Sequence, residues 1–340
     1  MLNDLVDAFG LAQQALFEQL VQPLMFALGL GNLLEDGYRG TGWLLVGLLQ
    51  IVFLVTFVGA LQRWRPVEPV TDRQAVRVDV VYTLLHRLGL FRLLMFFTLE
   101  PLVWELLGEM RLWGVRPWQL DALWPGVTDV AWVSFVLYLL LFDFVDYLIH
   151  RGQHRVSWWW QLHALHHSQR QMTMWTDNRN HLLDDVLRDL IFVAVAVAVG
   201  VGPGQFVAIV AFTQLVESLS HANVRMDFGP WLGRVLVSPA YHRLHHRIGI
   251  GHESAGPGSL GGHNFAVLFP VWDHLFGTAR HDGRYEPTGI RDQLPGEEAL
   301  KGHYQTEVPG RDHCRDYGRD YGRGFWAQQW LGLKRLAGRA

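Results

Sequence analysis

Eight histidines fall into three helix-spaced clusters, His150-x3-His154, His163-x2-His166-His167 and His242-x2-His245-His246, and this pattern constrains the chain more than any other feature. Residues three and four apart on a helix share a face. Each cluster therefore aims two or three imidazoles at one point, and neutral imidazole is a preferred ligand of iron, zinc and copper. A lone zinc needs three or four ligands, whereas two iron-type ions taking about five or six each can use all eight and leave room for water or oxygen. Thirteen of the 17 histidines lie between positions 150 and 274, and the x2-His-His grouping recurs after a long gap, which argues against chance. A structural zinc cage is the bland alternative. Its ligands normally include thiolates, and the single cysteine, Cys314, lies in the polar tail.

Half of the 340 residues are hydrophobic, 15 are Trp and the mean hydropathy is +0.10, so the chain reads as a membrane protein. Gly40 to Gln62 offers 23 uncharged residues and Leu190 to Val216 offers 27, against the roughly 20 that cross a hydrocarbon core as helix. The first reads as a spanning helix. The second is broken near its middle by Gly200-Val-Gly-Pro-Gly204 and reads as a re-entrant or interfacial hairpin. A third segment runs from Val130 through Phe142, Asp143 and Asp146 into His150, delivering ligands to the membrane surface. The stretch from Val80 to Leu107 is expected to supply a further pass, although His86, Arg87, Arg92 and Glu100 then need partners or a cavity. Residues 8 to 34 are apolar but interrupted by Glu18 and Pro23, and read as either an interfacial helix or a poor span.

Charge sets the orientation. Residues 1 to 39 hold one basic side chain, Arg39, whereas 63 to 77 hold Arg63, Arg65, Arg73 and Arg77, so the segment between should exit into the cytoplasm. Counting passes from there places His150 and the later clusters on the same side. Trp158-Trp159-Trp160 follows directly and is expected in the headgroup layer, with burial in a folded core as the alternative. The N-terminus lacks a basic region of the kind that opens a cleaved signal peptide. A net charge of −3 without a basic run gives no footing for nucleic acid. After Arg280 the chain turns polar and glycine-rich and reads as a linker carrying a short duplication, Arg315-Asp-Tyr-Gly and Arg319-Asp-Tyr-Gly. Phe325, Trp326, Trp330, Leu333 and Leu336 then form an apolar stripe that lies either on the membrane or on the protein.

Two carboxylates precede His150 by seven and four residues, Asp143 and Asp146. Both lie on its helical face, where either is expected to accept a ring N–H and fix a ligand tautomer; Asp273 and Asn264 are expected to do likewise from a later segment. The expected fold is all-α and integral to the membrane, with about four transmembrane or re-entrant passes and a helical cap at the cytoplasmic face carrying a His-rich dimetal site.

With their surroundings, the clusters resemble the fatty acid hydroxylase and sterol desaturase superfamily of integral-membrane enzymes. Asp143-x6-His150-Arg151-x2-His154 is similar to its first box, Leu162-His163-x2-His166-His167-Ser168 to the second, and Tyr241-His242-Arg243-Leu244-His245-His246 to the third. Asn264-Phe265, Leu268 and Trp272-Asp273-x2-Phe276-Gly277-Thr278 resemble its closing signature. The resemblance covers about 130 to 280 and divides the chain into an N-terminal membrane region, 1–125, a dimetal core, 126–281, and a tail, 282–340. It adds His181 and His221 as ligands, making ten with His150, His154, His163, His166, His167, His242, His245 and His246. The chain departs from the family pattern at His181-Leu182-Leu183-Asp184, at Ala266 and in an insertion from Gly249 to Gly262 that holds His252. His252, His263 and His274 are expected to be structural or to lie outside the ligand set.

The resemblance implies two iron ions, dioxygen as co-substrate, and hydroxylation or desaturation of a lipid such as a sterol, fatty acyl chain or ether lipid. No glycine fingerprint for a flavin or nicotinamide, and no cysteine set for an iron–sulfur cluster, is present. Electrons must then come from an external reductase, ferredoxin or cytochrome docking at the cytoplasmic face. A zinc-dependent membrane hydrolase is the main rival, but it usually brings a His-Glu-x2-His arrangement, which is absent. A metal transporter fits less well, because the ligands fall at helix ends rather than along spans. Arginine outnumbers lysine 27 to 2, which points to a GC-rich bacterial source and an inner-membrane location.

Overall fold

The computed structural model describes residues 2–255, 259–282, 284–294 and 321–339, and among these every regular element is helical. The duplicated Arg-Asp-Tyr-Gly stretch as far as Asp320, Cys314 and residues 256–258 of the 249–262 insertion lie outside the described residues; the last two residues of the second copy, Tyr321 and Gly322, are described. The chain divides into two compact units, one of residues 1–55 and 84–114, the other of 56–83 and 115–340.

The first unit contains α1 (Leu2–Leu16), α2 (Gln22–Ala27), α3 (Leu34–Phe53), α6 (Leu90–Thr98) and α7 (Glu100–Leu112). A π-turn, Phe17–Val21, carries α1 into α2. Small residues let the helices approach: a Cβ at Gly37 would overlap the Met25 thioether, and one at Gly47 the Arg87 carbonyl. Residues 31–64 form a continuous helix of 34 residues, made of a 3₁₀ turn, α3, a second π-turn and α4 (Gly59–Trp64), long and apolar enough to cross a bilayer. The expected span from Gly40 to Gln62 lies wholly inside it.

The expected pass from Val80 to Leu107 is not one helix. α5 (Arg73–Arg87) and α6 meet at an angle of 52°, because Gly89 takes the left-handed conformation with φ 76° and ends the helix as glycine does at such a turn. A second break follows at Leu99, with Pro101 opening α7. The charged groups in this stretch find partners: Arg87 Nη1 donates to Gln50 Oε1 at 2.9 Å, and the Arg92 guanidinium lies 3.6 Å from the Trp43 ring centroid.

The second unit is organised around α8 (Ala131–Arg155), a second helix long and apolar enough to span. Val156 turns extended and α9 (Ser157–His167) restarts at once, folding the first two histidine clusters onto one another. α10 (Leu182–Val199) and α11 (Pro203–Ser220) are the hairpin read from the sequence, broken where Gly200 adopts φ 72° and Pro203 opens the next helix. α12 (Gly229–Leu232), α13 (Pro239–His245) and α14 (Val271–Leu275) follow. Serine and proline start α13: the Ser238 hydroxyl accepts from the Tyr241 N–H at 3.2 Å, with Pro239 in the first turn.

Two expectations about the outer parts of this unit need correction. Only Trp158 of the tryptophan triplet is well exposed; the Trp159 indole donates to Asp184, and Trp160 is buried in a cluster with Tyr82, Ala164, Leu165 and Ile290. The region after Arg280 is more than a linker, since Thr288 donates to the Gln169 carbonyl and Gln293 to that of Ser168. α15 (Phe325–Leu336) docks on the protein, with Gln329 donating to the Tyr82 hydroxyl and to the Asn180 carbonyl. Buried Asp79 ties the same region together, accepting from Arg179 at 2.8 Å, Gln169 at 2.6 Å and Thr176 at 3.2 Å.

Removing that carboxylate leaves a buried guanidinium unpaired, which costs about 3–5 kcal/mol, whereas replacing both partners by apolar side chains is nearly neutral. Asp79→Ala should therefore lower the thermal midpoint of the detergent-solubilised protein sharply, and Asp79→Leu combined with Arg179→Met should recover most of the loss. Equal midpoints for wild type and Asp79→Ala would show that the pair is not the tie described.

Candidate metal centre

α8, α9, α11 and α13 end at a common point, and their histidines form two groups. His150, His154, His167 and His245 make one, His166, His221, His242 and His246 the other; within each, the candidate ligand atoms lie within 4.8 Å of one another. All eight rings are buried. His163 lies between the groups, its ring centroid 5.2 Å from His150, 5.0 Å from His154, 5.2 Å from His166 and 5.1 Å from His167.

In three of the four rings of the first group the outward nitrogen is occupied and the inward one is not. Nδ1 of His150, His154 and His245 faces the carbonyls of Phe265, Gly261 and His263 at 2.8, 3.1 and 2.8 Å. A carbonyl only accepts, so each Nδ1 carries the proton and each Nε2 presents a lone pair. Those three Nε2 atoms, with that of His163, are buried without a hydrogen-bond partner, as are both nitrogens of His167. Leaving so many polar atoms unsatisfied is costly. A cation in the middle removes the cost, so the donor set fits a metal.

In the second group, His221 donates through Nδ1 to the Glu217 carbonyl at 2.7 Å. Its Nε2 then faces His166 Nε2 at 3.1 Å and His242 Nε2 at 2.9 Å, and His242 Nε2 faces His246 Nε2 at 3.2 Å. Four Nε2 atoms crowded on one point cannot all be satisfied by protons shared among themselves, but they match the inner face of an imidazole-lined ion site. Asp and Glu are absent from both groups among the described residues.

Electrostatics keep the rings neutral. Burial, followed by the neighbouring imidazoles, holds His166, His167, His242 and His246 well below the usual imidazole range. Burial pushes His245 down to about 3. A neutral ring is a ligand without first losing a proton.

Of the ten histidines expected as ligands, the structure gathers eight into the two groups, sets His163 between them and leaves His181 out. His181 caps α10: its Nδ1 accepts from the Leu183 N–H at 3.1 Å and its Nε2 faces the Gln329 carbonyl at 2.9 Å, so both nitrogens serve the backbone. His252 stacks on Trp160 with centroids 5.2 Å apart, His263 turns its ring to the Ile250 carbonyl, and His274 is exposed and stacked on His281.

The expected carboxylate partners act one step further away. Asp143 accepts from the Leu268 and Phe269 N–H groups and the Trp272 indole, and Asp146 pairs with Arg188; among the described residues neither is hydrogen-bonded to an imidazole. Asp273 accepts from the Phe265 and Ala266 N–H groups, from Tyr241 and from Thr278. Asn264, at φ 60°, bonds to the backbone of Tyr241 and Arg280. These groups shape the segment whose carbonyls orient His150, His154 and His245. The carboxylate that does meet a ring is Asp184, which faces His163 Nδ1 at 3.2 Å while holding Gln153 and Trp159. Its position 21 residues beyond His163 follows no helical period, so sequence spacing offered no signal for it.

Residues 135–278 match the family model described as fatty acid hydroxylase. Over 167 residues the chain is 29% identical to the ornithine lipid hydroxylase OlsE of Rhizobium tropici, covering 49% of this chain and 47% of that protein. It is 29% identical over 157 residues to the alkylglycerol monooxygenase of Caenorhabditis elegans (45% and 29%) and 27% identical over 128 to the Delta(7)-sterol 5(6)-desaturase ERG3B of Gibberella zeae (36% and 39%). The chain thus spans less than half the length of each of these relatives. No solved structure gives a significant match.

Two outcomes are expected at the bench. Asp184→Asn should weaken metal retention against a chelator by about 10–100-fold with little change in overall helix content, and Asp184→Glu should recover part of it; unaltered retention in Asp184→Asn would remove Asp184 from the support of the site. Acid should destabilise the metal-free chain. Its histidines have folded-state pKa values below the unfolded value near 6.5, so the unfolded state binds more protons and stability falls as pH drops from about 6.5 towards 3, by up to about 1.4 kcal/mol per pH unit for each such ring. Denaturant midpoints at pH 7.5 and 5.5 measure this, and equal midpoints would contradict neutral buried rings.

Proposed function

Residues 135–278 form a fatty acid hydroxylase domain and place the chain in the fatty acid hydroxylase and sterol desaturase superfamily, and on that premise we propose that it oxidises a C–H bond of a lipid, with dioxygen, at two iron ions held by the two histidine groups. The observation that carries this reading is the pair of separate four-histidine groups at the end of a helix long enough to span a bilayer. His150, His154, His167 and His245 would hold one ion and His166, His221, His242 and His246 the other. His163 stands ready between them. Bound iron would supply the two-electron redox chemistry that activation of dioxygen demands.

The protein's own contribution is a dry, rigid and neutral chamber. Phe265 is fully buried with its ring centroid 6.0 Å from His150, 5.2 Å from His154 and 5.8 Å from His245, and Trp160 covers His154 at 5.1 Å. Such walls exclude water and protect a reactive centre from side reactions. Hydroxylation is favoured over desaturation, since it needs one positioned hydrogen rather than two, and the lipid is of the sterol, acyl or ether class. The basic flank of the first span supports an active site at the cytoplasmic side of a bacterial inner membrane, where an external reductase, ferredoxin or cytochrome delivers electrons. Against a zinc hydrolase stands the absence of a carboxylate in either group among the described residues.

Purified protein should carry two irons per chain and consume oxygen only when lipid and a reductant are both present. His150→Ala, His166→Ala and His245→Ala should each abolish turnover while the protein still inserts. Product formed at an equal rate without oxygen would refute the oxidative reading, and full activity in any of the three variants would remove that residue from the ligand set.

A further inference from the structure

Beside α13 lies a cavity of about 390 Å³ that no histidine of either group lines. Ala240, Tyr241 and Leu244 form its α13 wall, and the charged and titratable groups of the rest are Arg234, Arg280, His281, Asp227 and Asp282. Both arginines are exposed, and among the described residues neither forms an ion pair. The carboxylates nearby are largely committed. Asp282 is paired with Arg284 at 2.8 Å and Arg247 at 3.2 Å, and Asp227 accepts from the Gly229 N–H at 3.0 Å. Of the two carboxylates that line the cavity, Asp282 is already paired, so two guanidinium groups without an ion pair stand against Asp227.

Its surroundings are apolar and exposed. Trp231, at 83% exposure, Leu232 and Val235 alternate in sequence with the lining residues Pro230, Gly233 and Arg234, and Leu275 and Phe276, a few residues before Arg280, are exposed as well. Several large apolar side chains exposed within a few residues of one cavity are costly in water and point to contact with a partner or a membrane. The span identifies which. Leu236 and Phe269 pack on the cluster of Tyr138, Leu139, Phe142, Ile209 and Leu268, and Phe276 stacks on Phe144 and Tyr147. These α8 residues precede His150 by about 3 to 12 positions, roughly 5–18 Å along the helix. The segments that carry the exposed apolar residues thus pack against the membrane-crossing helix, and the two exposed arginines belong to the same segments.

We propose that this cavity binds the phosphate of an anionic membrane-lipid headgroup, gripped by Arg234 and Arg280 while Trp231, Leu232 and Val235 sit among the acyl chains. Guanidinium matches phosphate geometrically and electrostatically, and aromatic and aliphatic side chains beside basic ones are the usual anchor at a bilayer interface. The assignment rests on the membrane placement of α8 and not on chemistry at the histidines. It is therefore tested by binding alone, and its failure would leave the proposed oxidation standing.

Native mass spectrometry of the detergent-solubilised full chain with dihexanoyl phosphatidylglycerol, dihexanoyl phosphatidylcholine or inorganic phosphate provides the test. The anionic lipid should bind, and Arg234→Gln with Arg280→Gln should weaken it by at least about tenfold. Asp227→Asn keeps the acceptor for the Gly229 N–H and removes the opposing charge, so it should strengthen binding about two- to fivefold. This second variant keeps the test decisive if the double variant folds poorly. Equal retention of the two lipids, inorganic phosphate bound as tightly as the anionic lipid, or affinities unmoved by Asp227→Asn would each overturn the assignment.

Discussion

The structure depends on burying a crowd of imidazoles whose inward nitrogens have nothing in the protein to bond. Each lone pair taken from water without a partner costs free energy, and nine rings in contact multiply that cost. The protein answers on two sides. Backbone carbonyls take the outward ring protons of His150, His154, His245 and His221, and Asp184 faces that of His163. What remains inside is a set of converging lone pairs that suits a cation, and metal binding there would stabilise the fold of this region.

The carbonyls must be held in place, and this explains the polar groups buried around the 261–273 segment. Asp143 fixes its far end through two backbone N–H groups and an indole. Asp273 fixes the near end through Phe265 and Ala266. Asn264, just before the near end and in the left-handed region, turns the chain so that carbonyls on both sides of it reach rings. The scaffold around the second cluster is secured separately by Asp79 with Arg179 and by α15 lying against α9.

Helical spacing made the histidine clusters legible in the sequence, because ligand convergence and the 3.6-residue period are the same geometric fact. The break at Gly200 to Gly204 and the first span were legible for the same kind of reason: local chain stiffness and unbroken apolar length are local properties. Tertiary partnerships were not. His181 sits where a ligand is expected, yet Gln329, 148 residues away, claims its Nε2. Asp143 shares the face of His150 but is drawn to backbone N–H groups 125 and 126 residues on. The tryptophan triplet looks interfacial by composition, and only the packing of Tyr82 and Ile290 shows Trp160 to be core. The stretch from Val80 to Leu107 has the hydropathy of a pass, but left-handed Gly89 bends it and a second break follows at Leu99.

The most direct test of the account is anomalous diffraction from crystals of the protein as isolated, collected on either side of the iron absorption edge. Two iron peaks are predicted, one enclosed by His150, His154, His167 and His245 and the other by His166, His221, His242 and His246. A single peak, peaks that do not respond to the iron edge, or a peak at His181 would contradict it.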